Sequence, residues 1–140
     1  YPIMKKSILF TFLMAIFAIS LSSCSSSQDK LKQACEEATK QCPVQADYGM
    51  SIVSIDYADN NVVYNVEVDE SIYGEDAIQQ FTAAKDQMGD AMKEAILSGS
   101  DKDIAAMVDL CRKADANIVF KYTGKPSGQS FEIEIPASEL

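Results

Sequence analysis

The residue types able to do chemistry in this chain are few: four cysteines and 21 carboxylates, with no histidine and no tryptophan. A serine or cysteine nucleophile usually borrows its base from a histidine, so Ser-His-Asp and Cys-His constellations cannot be assembled. A mixed Cys/His zinc site fails for the same reason, and no CxxC pair is present. No catalytic, cofactor-binding or metal-binding residue is therefore assigned. A lysine- or carboxylate-based hydrolase stays open and would need carboxylates converging in a cleft.

Three cysteines lie on helix-like stripes: Cys35, Cys42 and Cys111. On a continuous helix Cys35 and Cys42 stand about 10.5 Å apart, beyond the roughly 7 Å that a disulfide spans between Cα atoms. Two readings remain open. Cys111 pairs with Cys35 or Cys42, as an oxidising compartment would allow, or all three are buried thiols serving as small apolar core residues.

The carboxylates Asp56 and Asp59, then Asp69, Glu70, Glu75 and Asp76, gather at the ends of extended segments. Their spacing fits no calcium loop, so a solvated acidic rim is expected. Glu132 and Glu134, two apart, share one strand face and read as wet-face residues. Gly124-Lys125-Pro126-Ser127-Gly128 has the glycines and lysine of a phosphate loop. Pro126 stands where Ser or Thr should follow the lysine, and a strand follows instead of a helix, so the segment reads as a hairpin loop.

The elements that must position these groups follow from periodicity. Leu31, Ala34, Cys35, Ala38 and Cys42 form one helical stripe over 29–42, stopped by Pro43. Met50 to Tyr57 and Val62 to Val68 read as strands, joined across Asp59, Asn60 and Asn61, which tolerate the positive φ of a tight turn. After Gly74, a face through Ile78, Phe81, Ala84, Met88, Met92 and Ile96 predicts one helix of about 22 residues, roughly 33 Å, ended by Gly99. Ser100 with Asp103 reads as a capping signal for a further helix burying Ile104, Met107, Val108 and Cys111. Ile118, Phe120 and Tyr122, then Phe131, Ile133 and Ile135, alternate as a second hairpin. The fold class is α+β in two layers, an antiparallel sheet of two β-hairpins packed against helices in the order α-ββ-αα-ββ.

The start of the chain carries an address. Lys5 and Lys6 precede about 14 mostly apolar positions, Ile8 to Leu21, too short for the roughly 20 residues of a membrane span. Residues 1–23 are expected to be a signal peptide, with Tyr1 to Ile3 upstream of a natural start at Met4. The tetrad Leu21-Ser22-Ser23-Cys24 resembles the lipobox of bacterial lipoproteins. That resemblance implies a diacylglyceryl group on the Cys24 sulfur, cleavage before Cys24, and an acylated amino terminus such as a palmitate. Two or more acyl chains anchor a protein stably. With the serines that follow and an ending through Tyr122, Gly124, Lys125, Ser127, Gly128 and Phe131 to Glu139-Leu140, the chain resembles small lipoproteins of the Bacteroidetes type. No agreed activity comes with that resemblance. Ser25, where an aspartate would imply inner-membrane retention, implies the outer membrane, with the periplasmic or surface face left open.

Residues 24–28 then form the lipidated cysteine and a linker reaching at most about 14 Å, and 29–140 a single domain. Loss of Lys5 and Lys6 from the 12 cations leaves ten against 21 acids, a charge of −11. Such a surface argues against nucleic acid, whose phosphates demand clustered Lys and Arg. The expected partners are the membrane, through lipid on Cys24, and an unknown protein or small ligand. The functional expectation is a non-enzymatic binding or inhibitor module of the cell envelope; the alternative is an accessory subunit of an envelope protein assembly.

Overall fold

Leu31, Ala34, Cys35 and Ala38 are all buried along one side of the first helix, α1 (Ser27–Lys40), whose amino end is capped where the Asp29 amide donates to the Ser26 hydroxyl. The computed structural model describes residues 26–47, 49–98 and 102–140. The signal-peptide and lipobox readings, and the Ser100 cap, fall outside the described residues.

After α1 come β1 (Val44–Asp47), β2 (Met50–Ala58) and β3 (Asn61–Asp69). The tight turn between β2 and β3 uses Asp59 (φ 53°) and Asn60 (φ 61°), both residues that accept the left-handed region locally. Four helices follow: α2 (Glu70–Tyr73), α3 (Ala77–Ala83), α4 (Lys85–Leu97) and α5 (Lys102–Ala114). The chain closes with β4 (Asn117–Lys125), β5 (Ser130–Ile135) and a 3₁₀ turn over Ala137–Glu139.

The five strands form one sheet in sequence order, and the helices cover one of its faces. Val62, Tyr64, Val66 and Val68 alternate inward on β3, and Ile118, Phe120 and Tyr122 on β4. Aromatic rings knit this core: Tyr64 stacks on Phe120 at 5.1 Å and Tyr122 on Phe131 at 5.0 Å. The opposite face is uncovered and mostly polar. Across it run Ser54, Asn65, Lys121 and Glu132 in one row, and Asp56, Val63, Val119 and Glu134 in the next.

The two-layer α+β architecture is the one expected, and both hairpins form. The sheet differs at its seam: β3 and β4 pair in parallel, from Asn61 opposite Asn117 to Asp69 opposite Lys125. The helical crossover α2–α5 returns the chain to the same end of the sheet, which makes a parallel neighbour possible. A fifth strand, β1, adds four residues antiparallel to β2, Val44 facing Ile52. The helix expected as one rod is interrupted at Ala84 (φ −97°, ψ 11°), which caps α3 and opens α4. Met88, Met92 and Ile96 of α4 are buried, and so is Ile78 of α3.

The Tyr122 hydroxyl is fully buried and has no hydrogen-bond partner among the described residues. A buried hydroxyl without a partner costs about 1–3 kcal/mol. Tyr122→Phe is therefore expected to raise unfolding stability by about 1 kcal/mol in urea titration; a loss of stability would show that the hydroxyl is bonded.

Candidate functional site

The cysteines come together in part. Cys35 on α1 and Cys111 on α5 are buried, Cys42 just past α1 is half-buried, and all three are free thiols in this structure. The two helices pack against each other. The Cys111 thiol donates to the Met107 thioether at 3.3 Å, and Cys42 donates to the Ala38 carbonyl at 3.5 Å. Burial pushes Cys35 up to about 12, with Cys111, Asp56 and Glu36 adding repulsion. Burial alone pushes Cys111 up to about 12. At neutral pH both are protonated, and the thiol is the poor nucleophile of the two forms. With Cys24 outside the described residues, Cys42 is expected to react fastest with a thiol reagent in the native domain, Cys35 and Cys111 only on unfolding. Mass mapping of a maleimide time course reads this; equal labelling of all three would contradict it.

The carboxylates singled out in the sequence do not converge on one point among the described residues. Among the described residues no group of three His, Cys, Asp or Glu side chains is placed to hold a metal ion. Asp56 accepts from the Asn65 amide at 2.9 Å on the uncovered sheet face. Asp69 caps α2, accepting from the Ser71 hydroxyl at 2.5 Å and its amide at 2.9 Å, and these bonds hold its carboxyl below the usual aspartate range. Asp76 accepts from the Gln80 amide at 2.8 Å. Asp59 lies in the β2–β3 turn, Glu75 in the turn before α3, and Glu132 and Glu134 are exposed as expected.

Glu70 departs from the expected rim. It is only 5% exposed, at the start of α2. Its carboxylate accepts from the Ser127 amide at 2.8 Å and from the Ser127 hydroxyl at 2.5 Å. The Gly124–Gly128 segment is a hairpin connection as expected, with Gly124 inside β4 and Ser127 in the turn. Glu70 is the clamp that ties this turn to the β3–α2 junction. The burial of Glu70 comes from Ser127, 57 residues further along the chain, so no local signal announced it.

Grooves also open among the described residues. One of about 570 Å³ opens at the end of the sheet between Gly49, Glu67, Asp69, Ile72 and Lys125. Ile72, 41% exposed, is one of two large apolar side chains exposed among the described residues, with Leu97. A second groove of about 620 Å³ lies between α1 and β2, with Cys35, Thr39, Ile55 and Tyr57 in its walls. There the Thr39 hydroxyl accepts from the Ile55 amide at 3.0 Å and donates to the Ile55 carbonyl at 2.7 Å. A third, about 400 Å³, runs between α4 and the outer side of β5. No helix among the described residues is long and apolar enough to cross a membrane.

What the fold defines is a mixed α+β domain with a five-stranded sheet covered on one face. Two solved structures share it. A protein of Pseudomonas aeruginosa classed as secreted superposes with a TM-score of 0.52 at 13% identity, over 84% of this chain and 98% of that one. The pilotin EpsS of the Vibrio vulnificus type 2 secretion system superposes with a TM-score of 0.54 at 10% identity, over 81% of this chain and 90% of that one. At these identities the likeness is one of fold. No family model and no curated protein matches the sequence.

Proposed function

We propose that this chain is a lipid-anchored accessory protein of a bacterial cell-envelope assembly, holding a protein partner close to the membrane. The observation that carries the reading is the shared fold with a pilotin, a component of a secretion system. It favours the accessory-subunit reading over the inhibitor reading. The tetrad Leu21-Ser22-Ser23-Cys24, three residues before α1 begins at Ser27, supports the anchor. An outer-membrane location of the Bacteroidetes lipoprotein kind follows from Ser25 under the same resemblance, and the grooves above offer protein-sized contact without a reaction centre.

The test is Cys24→Ser in the native host. Palmitate labelling and membrane fractionation are expected to be lost together, with the domain recovered in the soluble or precursor fraction. In the wild type, amine cross-linking in intact cells is expected to give one discrete protein adduct. Membrane association unchanged by Cys24→Ser would remove the anchor. Wild-type protein that gives no adduct would remove the assembly role.

A further inference from the structure

The two edges of the sheet are treated differently by the fold. At the β2 edge, β1 covers the strand as far as Ile52, and beyond it the Thr39 hydroxyl satisfies both backbone groups of Ile55. Among the described residues no strand lies beyond β5. The Gly124 amide donates to the Gln129 carbonyl at 2.8 Å, which fixes the phase of the antiparallel ladder. Phe131, Ile133 and Ile135 therefore bond inward to β4, and the N–H and C=O groups of Ser130, Glu132 and Glu134 point outward. Glu134 sits in the wall of the groove of about 400 Å³ between this edge and α4.

The rim of that groove is charged with one dominant sign. Asp86 and Asp90 of α4 and Glu134 of β5 face it with Lys85; the other two charges, Lys93 and Glu139, pair with each other at 2.7 Å. Glu132 lies on the same open side as Glu134, opposite Lys121. Ile133 and Ile135 form the floor, and α4 comes close enough that a Cβ on Gly89 would meet the Ile133 methyl at 3.5 Å. The trough is thus straight, floored by apolar side chains, lined by outward backbone groups on one wall and by carboxylates on both.

We infer that the outer edge of β5 is a docking site for an extended, basic segment of a partner protein, which adds to the sheet as a further strand beside Ser130–Ile135. Main-chain bonds to Ser130, Glu132 and Glu134 supply the affinity, as in other strand additions. Cations at alternate positions face Glu132 and Glu134 across the open side, and the residues between them face Ile133 and α4. This names the kind of partner for the assembly role proposed above and rests on that reading. The two fail separately, because Cys24→Ser fractionation reports the anchor and not the edge.

The test uses the full chain in mild detergent at low salt and a capped Lys-Val-Lys-Val-Lys-Val peptide, read by hydrogen exchange over 129–136. Binding is expected to slow exchange in this segment at least five-fold. In an antiparallel addition the lysines opposite Glu132 and Glu134 turn their amides to β5, so the same peptide with the lysine amides N-methylated keeps its charge, loses those donors and is expected to give no protection. Methylating the valine amides instead covers a parallel addition, and one of the two methylated peptides must fail. The variant D90K/E134K, altered at two exposed positions, is expected to weaken binding at least ten-fold. If neither methylation removes protection, the attraction is charge alone and the strand addition is overturned. A peptide that protects nothing over 129–136 overturns it as well, and leaves the edge glutamates as guards against sheet-to-sheet aggregation.

Discussion

Raising the pH from 9 to 11 is expected to unfold the reduced domain. Cys35 and Cys111 are pushed from an ordinary 9.0 up to about 12 by burial, and burial raises Tyr64 and Tyr122 far above an ordinary 10.0. In each case the unfolded chain releases its proton first. The stability these groups contribute is therefore complete below pH 9 and is lost as the pH rises towards the folded values. Each such group removes about 1.4 kcal/mol per pH unit inside its window. Two thiols from pH 9 and two phenols from pH 10 together remove about 8 kcal/mol by pH 11, comparable with the whole stability of roughly 5–15 kcal/mol typical of a domain. Circular dichroism in urea, repeated at half-unit steps of pH under reductant, reads the slope; a flat profile between 9 and 11 would sink the account. The same titration after oxidation decides between the two readings that the cysteine spacing left open. A bond from Cys111 to Cys35 removes both thiols from the balance and shifts the onset to pH 10; one from Cys111 to Cys42 removes Cys111 but leaves Cys35.

Gly124→Ala is the single substitution expected to do most damage to the sheet. A Cβ at this position would run into the Glu70 carboxylate and come within 2.8 Å of Ile78 Cγ1. The carboxylate cannot swing aside cheaply, because both its oxygens are held by Ser127. Overpacking at a rigid site, with the loss of charge-assisted hydrogen bonds, costs about 3 kcal/mol. Glu70→Ala is expected to cost a similar amount by leaving the Ser127 amide without its acceptor. In the double variant the added methyl has room, so the combined loss should fall about 1–2 kcal/mol short of the sum. Denaturant titration of the four proteins closes the cycle. Strict additivity would show that Gly124 and Glu70 do not meet.

The elements that were legible in the sequence are those whose signal is local. The stripe Leu31, Ala34, Cys35, Ala38 folded as one buried helix side, and Asp59-Asn60 supplied the positive φ angles of the hairpin turn. The alternation in 118–122 and 131–135 gave the second hairpin with the correct face inward. What stayed hidden depends on partners distant in sequence. The parallel seam joins Asn61–Asp69 to Asn117–Lys125, and nothing within either strand encodes which neighbour it takes. The strand β1, four residues beside Pro43, is too short to show a period. The break at Ala84 involves neither glycine nor proline, so no breaker announces it. Of the candidate site, the acidic positions were readable, but the burial of Glu70 and the outward phase of Glu132 and Glu134 appear only once β4 and β5 are paired.

The lay of α1 sets the attitude of the whole domain. Thr39, near its end, meets Ile55, and the groove walls run from there back along α1 to Lys32 and forward along β2 to Ala58, so helix and strand are antiparallel. The chain thus enters the domain beside the β2–β3 turn. Under the lipid anchor proposed for Cys24, that end would be the one nearer the bilayer; the strands run away from it over nine residues, about 30 Å. The Pro126–Gly128 tip and Ile72 crown the far end, and the β5 edge stands as a rail. A partner strand seated there would run along the same axis, between the β2–β3 turn end of the sheet and the Pro126–Gly128 tip.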